Sequence, residues 1–149
     1  RASVLLCKDG EMRDARQWQI GRARGQIQAN IWTTSGEKIL EKSDLQTNWK
    51  QVIQTWNGEV LKLFINGQFM AEISALGQLA SSDEPVRIGA GKDRYFFKGA
   101  VDEVRIYNRS LSDDEISALL NNDEIDALFD LNKVMKNINK IYKRLGLTI

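Results

Sequence analysis

The chain has 149 residues, 42% hydrophobic and 28% charged, with a formal net charge of +1. That length and balance describe one ordinary globular domain with a real core, and the near-neutral charge leaves no field for gripping a nucleic-acid backbone. Cys7 is the only cysteine and histidine is absent. This excludes an internal disulfide framework, a tetrahedral zinc site and a Ser-His-Asp triad, and no apolar run approaches the roughly 20 residues that span a bilayer.

The chain opens on Arg1 with no charged-then-apolar leader; the expectation is a processed product, a fragment or the ordered part of something longer. Residues 2–7 (Ala-Ser-Val-Leu-Leu-Cys) read as a buried strand. Trp18 and Ile20 suggest a second over 16–23. Beyond Gly25, Ile27, Ala29 and Ile31 mark a third, and 37–42 a short fourth.

The next three strands form a meander over 49–56, 60–65 and 68–73, punctuated by Asn57-Gly58 and Asn66-Gly67. Two-residue hairpin turns of the primed types need positive φ, which Asn and Gly tolerate, so both dipeptides predict such turns. In the middle strand Leu61, Leu63 and Ile65 fall on one face, the expected core side. Pro85 suits the start of a strand at Val86-Arg87-Ile88. Phe96-Phe97 and Val101 through Tyr107 supply the last two predicted strands. Many short strands at this spacing predict an antiparallel sandwich, not a parallel α/β sheet.

Ser112-Asp113-Asp114-Glu115 is a capping box, with the Ser hydroxyl and the Glu carboxylate each serving a first-turn N–H, and it predicts a short helix near 113–120. Asn121-Asn122 interrupts it. Leu128, Leu131, Met135, Ile138, Tyr142, Leu145 and Ile149 then recur in steps of three and four, the a/d repeat of a coiled-coil seam. Acidic residues 123, 124 and 126 open this helix and Lys140, Lys143 and Arg144 close it, opposing the helix dipole. It reads either as an amphipathic helix packed on its own sandwich or as an oligomerisation and docking helix. Val134 and Ile141 widen the stripe in favour of the second reading. The domain reading is therefore 1–121 for the sandwich and 122–149 for the helical segment.

The Trp49 strand, Leu61-Lys62-Leu63-Phe64-Ile65-Asn66-Gly67, Arg87-Ile88-Gly89, Gly99 through Tyr107 and Leu111-Ser112 together resemble the laminin-G-like, concanavalin A-like jelly-roll family over roughly 4–120. The resemblance implies an all-β, antiparallel jelly-roll β-sandwich with a short capped helix and a C-terminal amphipathic helix. It also implies a fold that offers a sheet face or loop rim to a glycan or partner protein. Family members begin with additional strands, including an acidic turn, ahead of the part matching 2–7. The expectation is an exposed sheet edge covered by another chain, by the preceding part of a cut precursor or by the C-terminal helix.

Little in the chain points to catalysis. Retaining glucanases need two carboxyls about 5 Å apart on one strand face, whereas Asp102 and Glu103 are adjacent and a strand points them to opposite faces. The acids at 113–115 are accounted for by helix capping. Gly89-Ala90-Gly91-Lys92 lacks the spacing, the Ser/Thr and the following helix of a phosphate loop, and reads as a turn. Asp102 matches an acidic position that contributes to calcium sites in the relatives, so it is the candidate calcium ligand; the alternative is a loop-capping role. No other cofactor is expected.

A sugar platform needs an aromatic surface flanked by amides or carboxylates. Gln28, Asn30 and Trp32 share the face opposite Ile27, Ala29 and Ile31, with Trp56 as an added edge and Tyr95 contributing from the 92–97 loop. Packing of Trp32 in a core or interface is the alternative, while Trp18 and Trp49 are expected in the core. Two functions stay open. One is a non-catalytic carbohydrate-binding or adhesion module acting outside the cell or on a particle surface. The other is a structural assembly subunit whose partners are other chains, reached through the C-terminal helix or the missing-strand edge. Neither involves nucleic acid or a membrane span.

Overall fold

The computed structural model describes residues 2–8, 16–43, 49–92 and 94–119. The chain divides into two compact units, Arg1–Leu111 and Ser112–Ile149. The helical seam expected at Leu128, Leu131, Met135, Ile138, Tyr142 and Leu145 lies outside the described residues.

Among the described residues the first unit has eight strands: β1 (Ser3–Lys8), β2 (Trp18–Ala23), β3 (Gln26–Thr33), β4 (Gly36–Ser43), β5 (Val52–Trp56), β6 (Val60–Ile65), β7 (Gln68–Ser74) and β8 (Arg87–Ile88). They form two antiparallel sheets, one in the order β4-β3-β2-β1-β8 and one in the order β5-β6-β7. This is the mostly antiparallel sandwich that the sequence pattern predicts.

The core lies between the sheets. Ile27, Ala29, Ile31 and Leu40 from the larger sheet meet Leu61 and Leu63 from the smaller and Ala75 just after β7, with Val52, Trp56, Ile65 and Ile73 packed around them. Period-2 alternation explains the membership: Leu61 pairs with Ile73 and Leu63 with Ala71 across β6 and β7, so directly opposed residues share the inward face. Phe64, on the other face, is also buried, against the ring of Phe69 at a centroid distance of 5.7 Å.

The hairpins follow their turn chemistry unevenly. Asn66 and Gly67 both have positive φ (50° and 67°), as a two-residue primed turn requires. Arg24 and Gly25 make the same kind of turn between β2 and β3, with Arg in a position that Asn or Gly usually holds. Asn57-Gly58 is different. The loop between β5 and β6 has three residues, and the Asn57 carboxamide oxygen accepts from the amides of Glu59 (3.0 Å) and Val60 (2.8 Å), an Asx turn in place of the primed one.

Two expected strands do not form. Phe96-Phe97 and Val101 through Tyr107 carry no strand structure, and Val101, Val104, Ile106 and Tyr107 stand exposed. Their pattern is that of a strand, but a strand exists only where a neighbour completes its ladder. Trp49 is likewise not a core residue: it precedes β5 and is 50% exposed.

In the second unit, α1 (Asp113–Ala118) begins with the expected capping box: the Ser112 hydroxyl accepts from the Glu115 amide at 3.2 Å, and the Glu115 carboxylate accepts from the Ser112 amide at 2.9 Å. Ile116 is its buried residue.

Candidate functional site

The structure does not assemble the predicted platform as an exposed surface. Gln28, Asn30 and Trp32 do share a face of β3, turned away from the smaller sheet, but Asn30 and Trp32 are only 6% and 7% exposed. The Arg16 guanidinium lies over the Trp32 ring, 5.5 Å from its centroid, and the 89–95 turn closes over Val4 and Cys7 on the same side of the sheet. β3 is therefore buried on both faces along most of its length. The amide-amide-Trp row that reads as a solvent face is part of the interior. Gln28 alone of the three is only partly buried, and its carboxamide donates to Glu41 across the sheet.

Trp56 belongs to the opposite sheet. It faces the core, and its indole N–H donates to the Ala75 carbonyl at 2.8 Å. Gln54, two residues before it, reaches across the interior and donates to the Asn30 carbonyl at 3.0 Å. So Trp56 and the Gln28–Trp32 row do not form one surface.

Tyr95 is the exception. It is 46% exposed and sits in the turn following β8, beside Phe96 at 66% exposure. Its φ of 58° is in the left-handed region that side chains with Cβ rarely adopt, and a bulky ring there is a genuine outlier. The turn is pinned: the Val4 amide donates to the Tyr95 carbonyl (2.8 Å), the Gly91 amide to the Arg94 carbonyl (3.0 Å) and the Phe97 amide to the Gly89 carbonyl (2.8 Å). The Arg94 guanidinium lies over the Tyr95 ring at 5.1 Å. At the base of the turn Glu84 holds Arg87 (2.6 Å) and Lys92 (3.2 Å), and these two hydrogen bonds keep its carboxyl below the usual carboxylate range. Phe96 was legible in the sequence only as a strand residue; its exposure follows from the strand's not forming.

Asp102, the candidate calcium ligand, accepts from the amide of Glu103 at 2.8 Å, and Glu103 in turn pairs with Arg105 at 2.7 Å. Calcium takes six to eight oxygen ligands. Among the described residues no group of three or more acidic, Cys or His side chains gathers. No helix among the described residues is long and apolar enough to cross a membrane.

With two antiparallel sheets and the Asp102–Tyr107 segment in place, the sequence can be set beside known families. A laminin-G family model, described as the concanavalin A-like lectin/glucanases superfamily, matches residues 3–117. The chain belongs to that superfamily. No curated protein matches it in sequence. Among solved structures, an S-layer domain-containing protein from Clostridium thermocellum is similar at 25% identity and a TM-score of 0.45, over 78% of this chain and 61% of that one. The binding domain of Paraclostridial Mosquitocidal Protein 1 is similar at 17% identity and a TM-score of 0.59, over 80% of this chain and 31% of that one. The second likeness is one of fold. The superfamily chain thus spans less than two thirds of either solved structure.

Proposed function

We propose that this protein is a non-catalytic recognition module that binds carbohydrate or glycoconjugate through the 94–97 turn, at a cell or particle surface. One observation carries the reading: two exposed aromatic rings, Tyr95 and Phe96, are held on a turn fixed by three backbone hydrogen bonds, with Tyr95 in a strained backbone conformation. Such strain persists only where the surroundings over-determine it and is concentrated at ligand clamps. Aromatic faces stack on the C–H faces of sugars, and Arg94 and Lys98 supply donors for hydroxyl or acidic groups. The family supports a binding or adhesion role in general.

The non-catalytic part of the reading rests on the acids. A general acid needs a raised carboxyl pKa. Glu84 is shifted the opposite way by its hydrogen bonds to Arg87 and Lys92.

Glycan-array binding followed by titration calorimetry tests the site. Tyr95→Ala and Phe96→Ala are each expected to weaken the best array ligand about ten-fold while leaving the unfolding midpoint unchanged, the scale of one lost aromatic contact. Trp32→Ala is expected to lower stability first, because the residue is buried. Unchanged affinity in both turn variants would remove the 94–97 turn as the site.

A further inference from the structure

Residues 101–107, Val-Asp-Glu-Val-Arg-Ile-Tyr, combine two features of an unpaired sheet edge. Val101, Val104, Ile106 and Tyr107 are exposed, and among the described residues the backbone of this segment makes no backbone–backbone hydrogen bond. Apart from the Glu103 amide, which donates to Asp102, the N–H and C=O groups are open, and open backbone groups beside exposed branched side chains are a template for another extended strand. A helix or an apolar surface would cover the side chains and leave the backbone groups unmet.

The sequence of the segment says which strand fits. Laid antiparallel on itself about Val104, it sets Val104 against Val104, Glu103 against Arg105 and Val101 against Tyr107, each of the last two pairs occurring twice by symmetry. Opposite charges and apolar–aromatic pairs directly across a ladder are stabilising. Asp102 against Ile106, also occurring twice, is the one mismatched pair. One face of the resulting two-stranded ribbon carries Asp102, Val104 and Ile106 of both copies, while the other carries the two Glu–Arg pairs flanked by the two Val101–Tyr107 pairs. We propose that 101–107 is a two-fold symmetric pairing edge and that its occupant is the same segment of a second copy of this chain. A self-complementary patch of this kind is what an isologous dimer interface requires.

In the single copy Glu103 and Arg105 pair with each other at 2.7 Å, and Glu103 holds a φ of 50°. Strand pairing moves Glu103 to the extended region, which a Glu adopts more readily, and exchanges the intrachain ion pair for two interchain ones. The cost of ordering the segment is thereby partly offset by relief of a strained residue.

Sedimentation velocity on the full chain over a concentration series tests this. The wild type is expected to dimerise. Val104→Lys is expected to raise the dimer dissociation constant at least about ten-fold by setting two like charges across the axis. Glu103→Arg weakens the dimer similarly, and the double exchange Glu103→Arg/Arg105→Glu restores it to within about three-fold, because both interchain pairs are rebuilt with reversed sign. Val104→Cys is expected to give a disulfide-linked dimer under mild oxidation, whereas Asp102→Cys, set opposite Ile106, is not; native Cys7 is buried and does not compete. All these positions are exposed, so circular dichroism should show the fold intact. A wild type that is monomeric throughout, or a dimer indifferent to Val104→Lys and to the charge exchange, overturns the proposal.

Discussion

Leu61 and Leu63 of β6 are fully enclosed between the sheets, so truncating either removes apolar burial and leaves a cavity that rigid strands cannot close. Leu63→Ala is expected to cost about 3 kcal/mol in chemical denaturation. Phe69, whose ring is about half exposed on the outer face, is expected to cost no more than about 1 kcal/mol as Ala. Equal losses at the two positions would mean that the sheets do not pack by this face. Glu84 gives a pH signature. Its folded carboxyl titrates below the ordinary value of 4.5 because Arg87 and Lys92 hydrogen-bond it. A depressed folded pKa means that its contribution to stability is fully present above about pH 4.5 and is lost as the pH falls through the lower, folded value. Glu84→Gln should therefore flatten the wild-type decline in melting temperature below pH 4.5 while leaving its pH dependence above pH 6 unchanged. A variant whose acid limb superimposes on the wild type would show that the ion pairs do not form in solution.

At the scale of elements, backbone approach separates positions that look alike in sequence. A Cβ built on Gly21 of β2 would lie 2.7 Å from the Ser3 carbonyl oxygen of β1. Gly21→Ala must therefore push β1 outward near its bulge at Val4–Leu6, and a loss of about 1–3 kcal/mol is expected by thermal melting. No loss there would mean the β1–β2 register is other than the one described. The hairpins explain how much of the fold could be read in advance. Asn66-Gly67 between alternating apolar residues fixes both a turn and a register, so β6 and β7 were legible nearly to the residue. Arg24-Gly25 carries half of that signal, and its turn had to be seen. The 101–107 segment misled because alternation records what a residue prefers, not whether a neighbour is there to complete its ladder. β3 misled for the converse reason: Gln28, Asn30 and Trp32 alternate as a wet face should, but Asn30 and Trp32 are buried, the latter under the Arg16 guanidinium, and no local pattern encodes that contact. Of the candidate site, Tyr95 was legible as an aromatic in a loop; its left-handed φ and the exposure of Phe96 were not.

For the first unit as a whole, a five-stranded sheet faces a three-stranded one, and the inner face is covered unequally. Ala29 and Ile31 are buried, whereas Ile20 and Trp18, directly opposite them on β2 and sharing their face, are only partly buried, as is Leu6 beside Ile20 on β1. Stability should therefore be graded along the sandwich, and hydrogen exchange reads that grading directly, since local opening needs less free energy where fewer apolar contacts and ladder bonds must break. β3 and β6, central in their sheets and deepest in the core, are expected to exchange slowest, near the global unfolding limit. β1 and β8 should be intermediate. Among the described residues the amides of 101–107 have no backbone acceptor, and they should exchange within the shortest labelling time in dilute protein. Raising the concentration separates the two accounts of that segment: protection appearing at 101–107 alone marks pairing between copies, and protection absent at every concentration marks a strip of chain that stays solvated. Slow exchange at 101–107 in dilute protein would contradict the fold itself, because it would require a ladder partner within the single copy.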